Sequence, residues 1–180
     1  MDNLFIPTTS ETSLIIAPKD LNNRIDDTLL KSLKQDLEGK CIKEGFVKEK
    51  SVKILNRSLG QGQGSSFTGN TVFHVKYSME ICNPLEGALI EVQAININKM
   101  GILAGVPYQT QSPLNVILAK QHHIDNKGFE DTKVDDIFKV RVVGKRYEYG
   151  DTQITIIAVL DSIYNLKPFS LSLGKRFVIR

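Results

Sequence analysis

Two adjacent histidines, His122 and His123, lie close to Asp125 and are the clearest grouping of side chains that could bind a metal ion. Imidazole and carboxylate groups are common zinc ligands, but a site needs three or four ligands converging on one point. Adjacent residues of an extended chain point in opposite directions, which is poor geometry for a shared ion. We therefore interpret the pair as part of a polar loop and predict no metal site. The functional alternative is contact of His122 with RNA, because an imidazole ring can stack on a base.

A second candidate is the glycine-rich segment at residues 60–64, Gly-Gln-Gly-Gln-Gly. Glycine-rich loops cradle phosphate when they open a helix, usually with a lysine behind them. Here two serines and a phenylalanine follow, and the next segment has the alternation of a strand. The segment is therefore predicted to be a flexible hairpin loop, which could dock into a groove of a partner.

No grouping of nucleophile, acid and base is recognisable in the sequence. It has no Gly-x-Ser-x-Gly motif, and neither Cys41 nor Cys82 stands in a recognisable Cys-His context. Two thiols are also too few for a four-cysteine zinc site. The acidic pairs at 26–27 and 135–136 suit the first turn of a helix and a turn before a strand. We predict a protein that is not an enzyme, with no catalytic residues and no cofactor.

The composition is that of a globular protein with a small positive charge. The chain has 180 residues, 41% of them apolar, with 23 basic and 20 acidic side chains. Residues 1–86 hold 11 of each sign, so the whole excess of three lies in the C-terminal half. That excess is too small to indicate nucleic-acid binding by itself. No apolar run is long enough to cross a bilayer, and we expect an intracellular protein without membrane contact.

The elements that must position these residues begin with one helix. Apolar residues recur at mostly four-residue intervals from Leu21 to Leu37, which predicts a helix with a single apolar face. Asp20 is expected to cap its N-terminus, and Gly39 to end it in the left-handed conformation. Strands are predicted around the helix, at 14–16, 41–47, 51–55 and 71–79.

The second half is predicted to form five short strands, at 88–96, 101–106, 114–119, 137–143 and 153–160. Five strands with a longer gap after the third suit a small closed Greek-key barrel of the oligonucleotide-binding (OB) type. The third predicted strand, Leu-Asn-Val-Ile-Leu-Ala at 114–119, is mostly apolar and is expected to be buried. The predicted fold class is therefore α+β, with the barrel following a helix-containing first half.

Basic residues of the second half are placed where such a barrel could contact single-stranded RNA. Lys139 and Arg141 share one face of the fourth predicted strand. OB barrels follow the phosphates with Lys and Arg and stack bases on aromatic rings. A solvated strand face explains any one of these residues equally well, and only the cluster favours RNA. The predicted RNA contacts are Lys99, Tyr108, His122, Lys139, Arg141, Lys145, Arg146 and Tyr147.

The order of these segments resembles the stalk subunit of multisubunit RNA polymerases, which is the seventh subunit of eukaryotic polymerase II and has a direct counterpart in the archaeal enzyme. The resemblance spans roughly residues 13–161 and rests on order and spacing. It is carried by Leu-Ile-Ile-Ala-Pro at 14–18, Leu-Glu-Gly-Lys-Cys at 37–41, Glu-Gly-Phe-Val at 44–47, Phe-His-Val-Lys-Tyr at 73–77, Pro-Leu-Glu-Gly at 84–87, the stretch 92–106 with its Asn-Lys-Met-Gly-Ile turn, and 133–136 leading to 142–144.

This resemblance implies a truncated ribonucleoprotein-like tip domain at residues 1–84, an OB barrel at 85–164 and a C-terminal extension at 165–180. In that family the tip wedges into the polymerase core beneath the mobile clamp, against the largest subunits and a small assembly subunit. The barrel projects toward nascent RNA, and a smaller helical stalk partner grips the junction. The resemblance assigns docking on the core to Pro18, Lys19, Asp20, Leu21, Gly60, Gln61, Gly62, Gln63 and Gly64.

Three features depart from the family pattern: about ten extra residues before Leu14, a poorly matched barrel middle at 107–129, and the tail after residue 164. The many Ile, Asn and Lys residues would suit a copy encoded by a large DNA virus. The location would then be the cytoplasm or virion instead of the nucleus. The alternative function is a freestanding OB-fold RNA-binding protein that acts in translation or RNA metabolism.

Overall fold

Strands dominate the fold, as the alternating segments of both halves predict. The computed structural model describes residues 4–63, 68–107, 112–124 and 127–162. Within these ranges the chain forms two sheets. The strands of the first sheet are β1 (Phe5–Ile16), β2 (Cys41–Ile42), β3 (Gly45–Val47), β4 (Lys53–Arg57), β5 (Gln61–Gly62) and β6 (Thr71–Cys82).

The long strand β6 is the centre of the first sheet. It pairs with β1 along its whole length, from Ile16 opposite Thr71 to Phe5 opposite Cys82. On its other edge it pairs in turn with β5, β4 and β3. Twelve residues at about 3.4 Å each carry the strand about 40 Å. β6 therefore connects two widely separated ends of the sheet. The first strand extends nine residues further toward the N-terminus than predicted, because residues 5–13 also find partners on β6.

Helix α1 (Ile25–Leu37) packs on one face of this sheet, and the apolar residues between them form the core. Leu29 and Leu33 are fully buried against alternate residues of β6, among them Val75 and Met79. The predicted end of the helix is confirmed, since Gly39 has a φ of +72°. Only glycine adopts that conformation without a steric penalty.

The predicted start of the helix at Asp20 is wrong. Residues Pro18–Asp20 form a single 3₁₀ turn, and Leu21 after them is extended, with a ψ of 99°. The backbone N–H of Arg24 donates to the side-chain oxygen of Asn22 at 2.8 Å. This local turn satisfies the backbone outside a helix, so α1 begins only after it.

The second sheet is a closed barrel with the predicted OB topology. Its strands are β7 (Leu89–Asn98), β8 (Gly101–Gly105), β9 (Leu114–Ala119), β10 (Ile137–Arg146) and β11 (Ile154–Ser162). Around the barrel the order is β7, β8, β9, β11, β10, and β10 pairs again with β7. All pairs are antiparallel except β9 with β11. Helix α2 (Lys127–Asp131) lies in the connection after the third strand.

Alternate side chains of each barrel strand fill its interior, including Val92, Val116, Phe138 and Ile156. The expectation that residues 114–119 are buried throughout is wrong, because Ile117 is 38% exposed. In a closed barrel only one face of a strand looks into the core.

The two sheets share an apolar core where they meet. Cys41, Phe46 and Cys82 from the first sheet belong to the same buried cluster as the barrel interior. The N–H of Cys41 donates to the carbonyl of Asp151 at 2.7 Å, and its carbonyl accepts from Gly150 at 2.8 Å. β2 is thus hydrogen-bonded to the turn between β10 and β11. We call this contact region the junction.

Two side chains at the end of β10 reinforce the junction. The Tyr147 hydroxyl donates to the carbonyl of Lys43 at 3.1 Å. The Lys145 ammonium donates to the Asn83 side chain and to the carbonyl of Pro84. Burial raises the pKa of Tyr147 above its ordinary value, so its phenol remains a donor.

The junction also determines the state of the two thiols. Burial raises the pKa of Cys41 to about 11 and that of Cys82 to about 12. Both cysteines are free and fully buried. At neutral pH they are uncharged members of the core, since the thiolate is the form that burial disfavours.

His123 is buried at the end of the barrel away from the junction, so the prediction that it belongs to a polar loop is wrong. Its Nε2 accepts a hydrogen bond from the Leu160 N–H at 2.9 Å, and its Nδ1 lies 2.8 Å from the carbonyl of Ala119. Because a backbone N–H can only donate, Nε2 is unprotonated and Nδ1 donates to the carbonyl. The ring is buried and stacks on Phe129 of α2 with the centroids 4.4 Å apart. Both ring nitrogens are committed to the protein's own backbone.

We expect His123→Ala to destabilise the protein by about 2–3 kcal/mol, because it leaves the buried Leu160 N–H without an acceptor and removes the ring contact with Phe129. Urea unfolding measures this change. The matched control is His122→Ala at the neighbouring exposed position, for which we expect a change within about 0.5 kcal/mol. Equal effects of the two substitutions would contradict the structural role of His123.

We expect the free energy of unfolding to fall as pH rises above about 9. The folded thiols keep their protons up to pH 11–12, whereas unfolded thiols lose theirs near 9. Raised pKa values therefore give stability that is complete below pH 9 and is lost above it. The loss at pH 10 is about 1 kcal/mol per thiol. Urea titrations between pH 7.5 and 10 measure it, and the Cys41→Ala, Cys82→Ala double variant should show a flatter decline. An equally steep decline in that variant would contradict the assignment to the thiols.

Candidate functional site

The two segments to which the resemblance assigns docking lie together at one end of the first sheet, opposite the junction. Ile16 at the end of β1 and Gly62 in β5 both pair with Thr71. A Cβ placed on Gly69 would lie only 3.1 Å from the ring of Pro18, so the two connections touch. We call this end the docking end. Folding brings together segments that are far apart in the sequence.

Side chains at the docking end are open to solvent. Pro18, Lys19, Asp20, Leu21 and Gln61 are all exposed. The prediction of a flexible loop is wrong for the first part of the glycine segment, since Gln61–Gly62 forms β5 and the next N–H, that of Gln63, donates to the carbonyl of Asn70 at 3.0 Å. Gly64 lies outside the described residues.

Gly60 has a structural reason to be glycine. A Cβ there would lie 2.6 Å from the Thr71 methyl group and 2.8 Å from the Phe73 ring, closer than atoms can approach. Directly before it, Leu59 is 85% exposed, the highest value among the large apolar side chains of the described residues. Sequence reasoning missed Leu59, and the only signal is a leucine at the edge of a glycine-rich segment.

The predicted RNA contacts do not form one patch. Lys99 and His122 lie together at the end of the barrel away from the junction. The N–H of Lys120 donates to the carbonyl of Met100 at 2.9 Å, which holds the 3₁₀ turn Lys120–His122 beside the turn between β7 and β8. Lys99 and His122 are both exposed there.

Other predicted contacts follow β10 along the barrel. Lys139 and Arg141 share its exposed outer face, as the alternation predicts. Arg141 is partly neutralised, because its guanidinium lies 2.7 Å from the carboxylate of Asp161. Arg146, at the end of the strand, is highly exposed and lies 3.3 Å from Glu148.

The other predicted RNA contacts, Lys145, Tyr147 and Tyr108, are not available on the described outer surface of the barrel. Lys145 and Tyr147 make the junction hydrogen bonds described above, which occupy their polar atoms. Tyr108 lies outside the described residues. The structure therefore offers Lys99, His122, Lys139, Arg141 and Arg146 as exposed cationic or imidazole groups on the barrel.

Within the described ranges, no three His, Cys, Asp or Glu side chains are grouped so that they could hold a metal ion. Neither of the helices seen there combines the length and the apolar character that crossing a membrane requires.

Comparison with known proteins gives two polymerase subunits. "DNA-directed RNA polymerase II subunit RPB7" of Glycine max is 29% identical over 103 residues, which are 56% of this chain and 56% of that protein. "DNA-directed RNA polymerase II subunit 7" of Arabidopsis thaliana is 26% identical over 129 residues, 71% of this chain and 68% of that protein. The matched region thus spans little more than half of the first relative. No protein-family model matches the chain.

The fold agrees with these two similarities, since a strand-rich first sheet with one long helix precedes a closed five-stranded barrel. Both relatives carry the same subunit name, and each similarity extends over more than half of this chain. Together they support the assignment of this chain to the stalk-subunit family represented by the seventh subunit of RNA polymerase II.

Proposed function

We propose that this protein is a non-catalytic stalk subunit of a DNA-dependent RNA polymerase. The observation that carries the proposal is its similarity to two subunit 7 proteins, joined to a fold with an OB barrel behind a separate sheet. A polymerase assembly would place it in the nucleus, or in the cytoplasm or virion for a viral enzyme.

The tip, residues 1–84 in this proposal, binds the polymerase core through the docking end. Exposed Leu21 and Leu59 would enter an apolar groove, and Gln61 would hydrogen-bond at its rim. The core partners are the largest subunits and a small assembly subunit near the clamp. A helical stalk partner would bind at the junction, where both sheets present surface side by side.

The barrel, residues 85–164 in this proposal, contacts nascent single-stranded RNA. The cations Lys99, Lys139, Arg141 and Arg146 are spread from its far end toward the junction. Cations distributed in this way can contact successive phosphates without reading bases. We therefore expect modest affinity and little dependence on RNA sequence.

The first test concerns docking. We expect Leu59→Asp combined with Gln61→Glu to reduce co-purification of the largest polymerase subunits at least tenfold, because charges replace the apolar and neutral groups of the contact. Both positions are exposed, so the fold should persist. Tagged protein recovered from cells that contain the polymerase gives the measurement.

The matched control for docking is Met100→Asp, at an equally exposed apolar position on the barrel. It should leave core binding unchanged. If the docking variant retains full core binding, the docking end is wrongly assigned. If the wild-type protein recovers no polymerase subunit but binds RNA tightly alone, it is the freestanding RNA-binding protein instead.

The second test concerns RNA. We expect Lys139→Ala combined with Arg141→Ala to weaken binding of a short single-stranded RNA several-fold near 100 mM salt. Each lost phosphate contact also lowers the slope of log affinity against log salt by about 0.7. Fluorescence anisotropy across a salt series measures both quantities. Lys53→Ala with Lys76→Ala removes the same charge from the first sheet and should change neither. If both double substitutions weakened RNA binding equally, the loss would reflect only the change in net charge, and a binding site on the barrel would be contradicted.

A further inference from the structure

The outer face of the barrel carries a continuous row of aliphatic side chains that the proposed function does not use. Leu103 of β8 is the register partner of Ile117 in β9, and Ile117 is the partner of Ile157 in β11. Register partners point to the same side of a sheet. Beside Ile157, the bulged residue Val143 of β10 extends the row. Ile117, Val143 and Ile157 are 38, 54 and 47% exposed.

Charge is scarce around this row, which we call the aliphatic face. On β8, β9 and β11 the side chains that alternate outward with the core residues are uncharged except for Asp161, which is paired with Arg141. The uncharged neighbours of the row on these strands are Asn115, Ala119, Thr155 and Val159. Strands β8, β9 and β11 present no Lys or Arg on this face, and the guanidinium at its edge, that of Arg141, is paired with Asp161, so RNA is a poor occupant. A contiguous apolar surface of this kind is typical of a protein contact.

The chain itself contains a segment of matching chemistry after β11. In residues 163–180, Phe169, Leu171 and Leu173 alternate with serines, which gives one apolar and one polar side in an extended chain. The same segment has four basic residues and no acidic one. Asn165 and Pro168 before the alternation are typical turn residues.

The distance from β11 permits a return to the aliphatic face. β11 ends at Ser162, five residues or about 17 Å beyond Ile157. The seven residues from Ser162 to Phe169 reach at most about 24 Å when extended. A turn followed by a return along the barrel therefore brings Phe169 to Ile157. A segment tethered at this distance has an effective concentration in the millimolar range, which favours it over a second copy in solution.

We propose that the C-terminal segment, residues 165–180, binds the aliphatic face of its own barrel, with Phe169, Leu171 and Leu173 against Ile117 and Ile157. This inference is independent of the proposed polymerase function. Docking in this way covers the apolar row and adds the basic residues of the segment to the barrel surface.

The test measures access to the segment in the folded 180-residue chain. Trypsin cuts after Lys175, and mass spectrometry of the released C-terminal peptide gives the rate. We expect slow release from the wild type and at least tenfold faster release from Ile117→Asp with Ile157→Asp. The matched control, Ile6→Asp with Ile15→Asp, changes two similarly exposed isoleucines of β1 and should release the peptide at the wild-type rate.

A double-mutant cycle completes the test. Phe169→Asp with Leu171→Asp should also accelerate release, and combining it with the aliphatic-face pair should add nothing further, because both remove the same contact. Equal release from wild type and the aliphatic-face variant would overturn the proposal, as would additive effects. Sedimentation provides a second measurement. A dimer that the aliphatic-face substitutions dissociate would assign the surface to a second copy and overturn binding in cis.

Discussion

The structure depends on the backbone pairing between Cys41 and the turn at Gly150 and Asp151. Two hydrogen bonds join a strand of the first sheet to a turn of the barrel, and the apolar residues beneath them belong to both cores. Together with the Tyr147 and Lys145 hydrogen bonds, this contact adds to the chain connection at residues 83–88 and fixes how the two sheets are oriented.

Because the junction joins the two sheets, the long strand β6 links the docking end to the barrel. The strand carries one continuous ladder from the docking end to the junction. Buried neutral thiols and the Tyr147 and Lys145 hydrogen bonds then continue the contact into the barrel. The docking end and the barrel thus belong to one hydrogen-bonded framework, which would suit the proposed binding of a polymerase core at one end and of RNA at the other.

The outer surface of the barrel has a cationic part and an aliphatic part. Cations lie along β10 and at the far turn, while β8, β9 and β11 present aliphatic side chains. Strand alternation within a closed barrel makes this division possible, because every outward position is free to vary once the inward one is filled. A charged row and an apolar row can therefore lie side by side on one small barrel.

The sequence by itself determined the barrel strands, their OB order, the apolar face of α1 and the end of that helix at Gly39. These features follow from the spacing of apolar residues and from turn-forming residues, which are local properties of the chain. It could not place the start of α1, where an Asx turn at Asn22 competes with the helix, nor the full length of β1, whose polar residues are extended only because β6 pairs with them. Only the tertiary structure decided that Lys145 and Tyr147 belong to the junction and that His123 is buried, while Lys99 stays exposed beside His122. The physical reason is that a side chain's type gives its bonding capacity, whereas its partner is set by contacts between residues far apart in the chain.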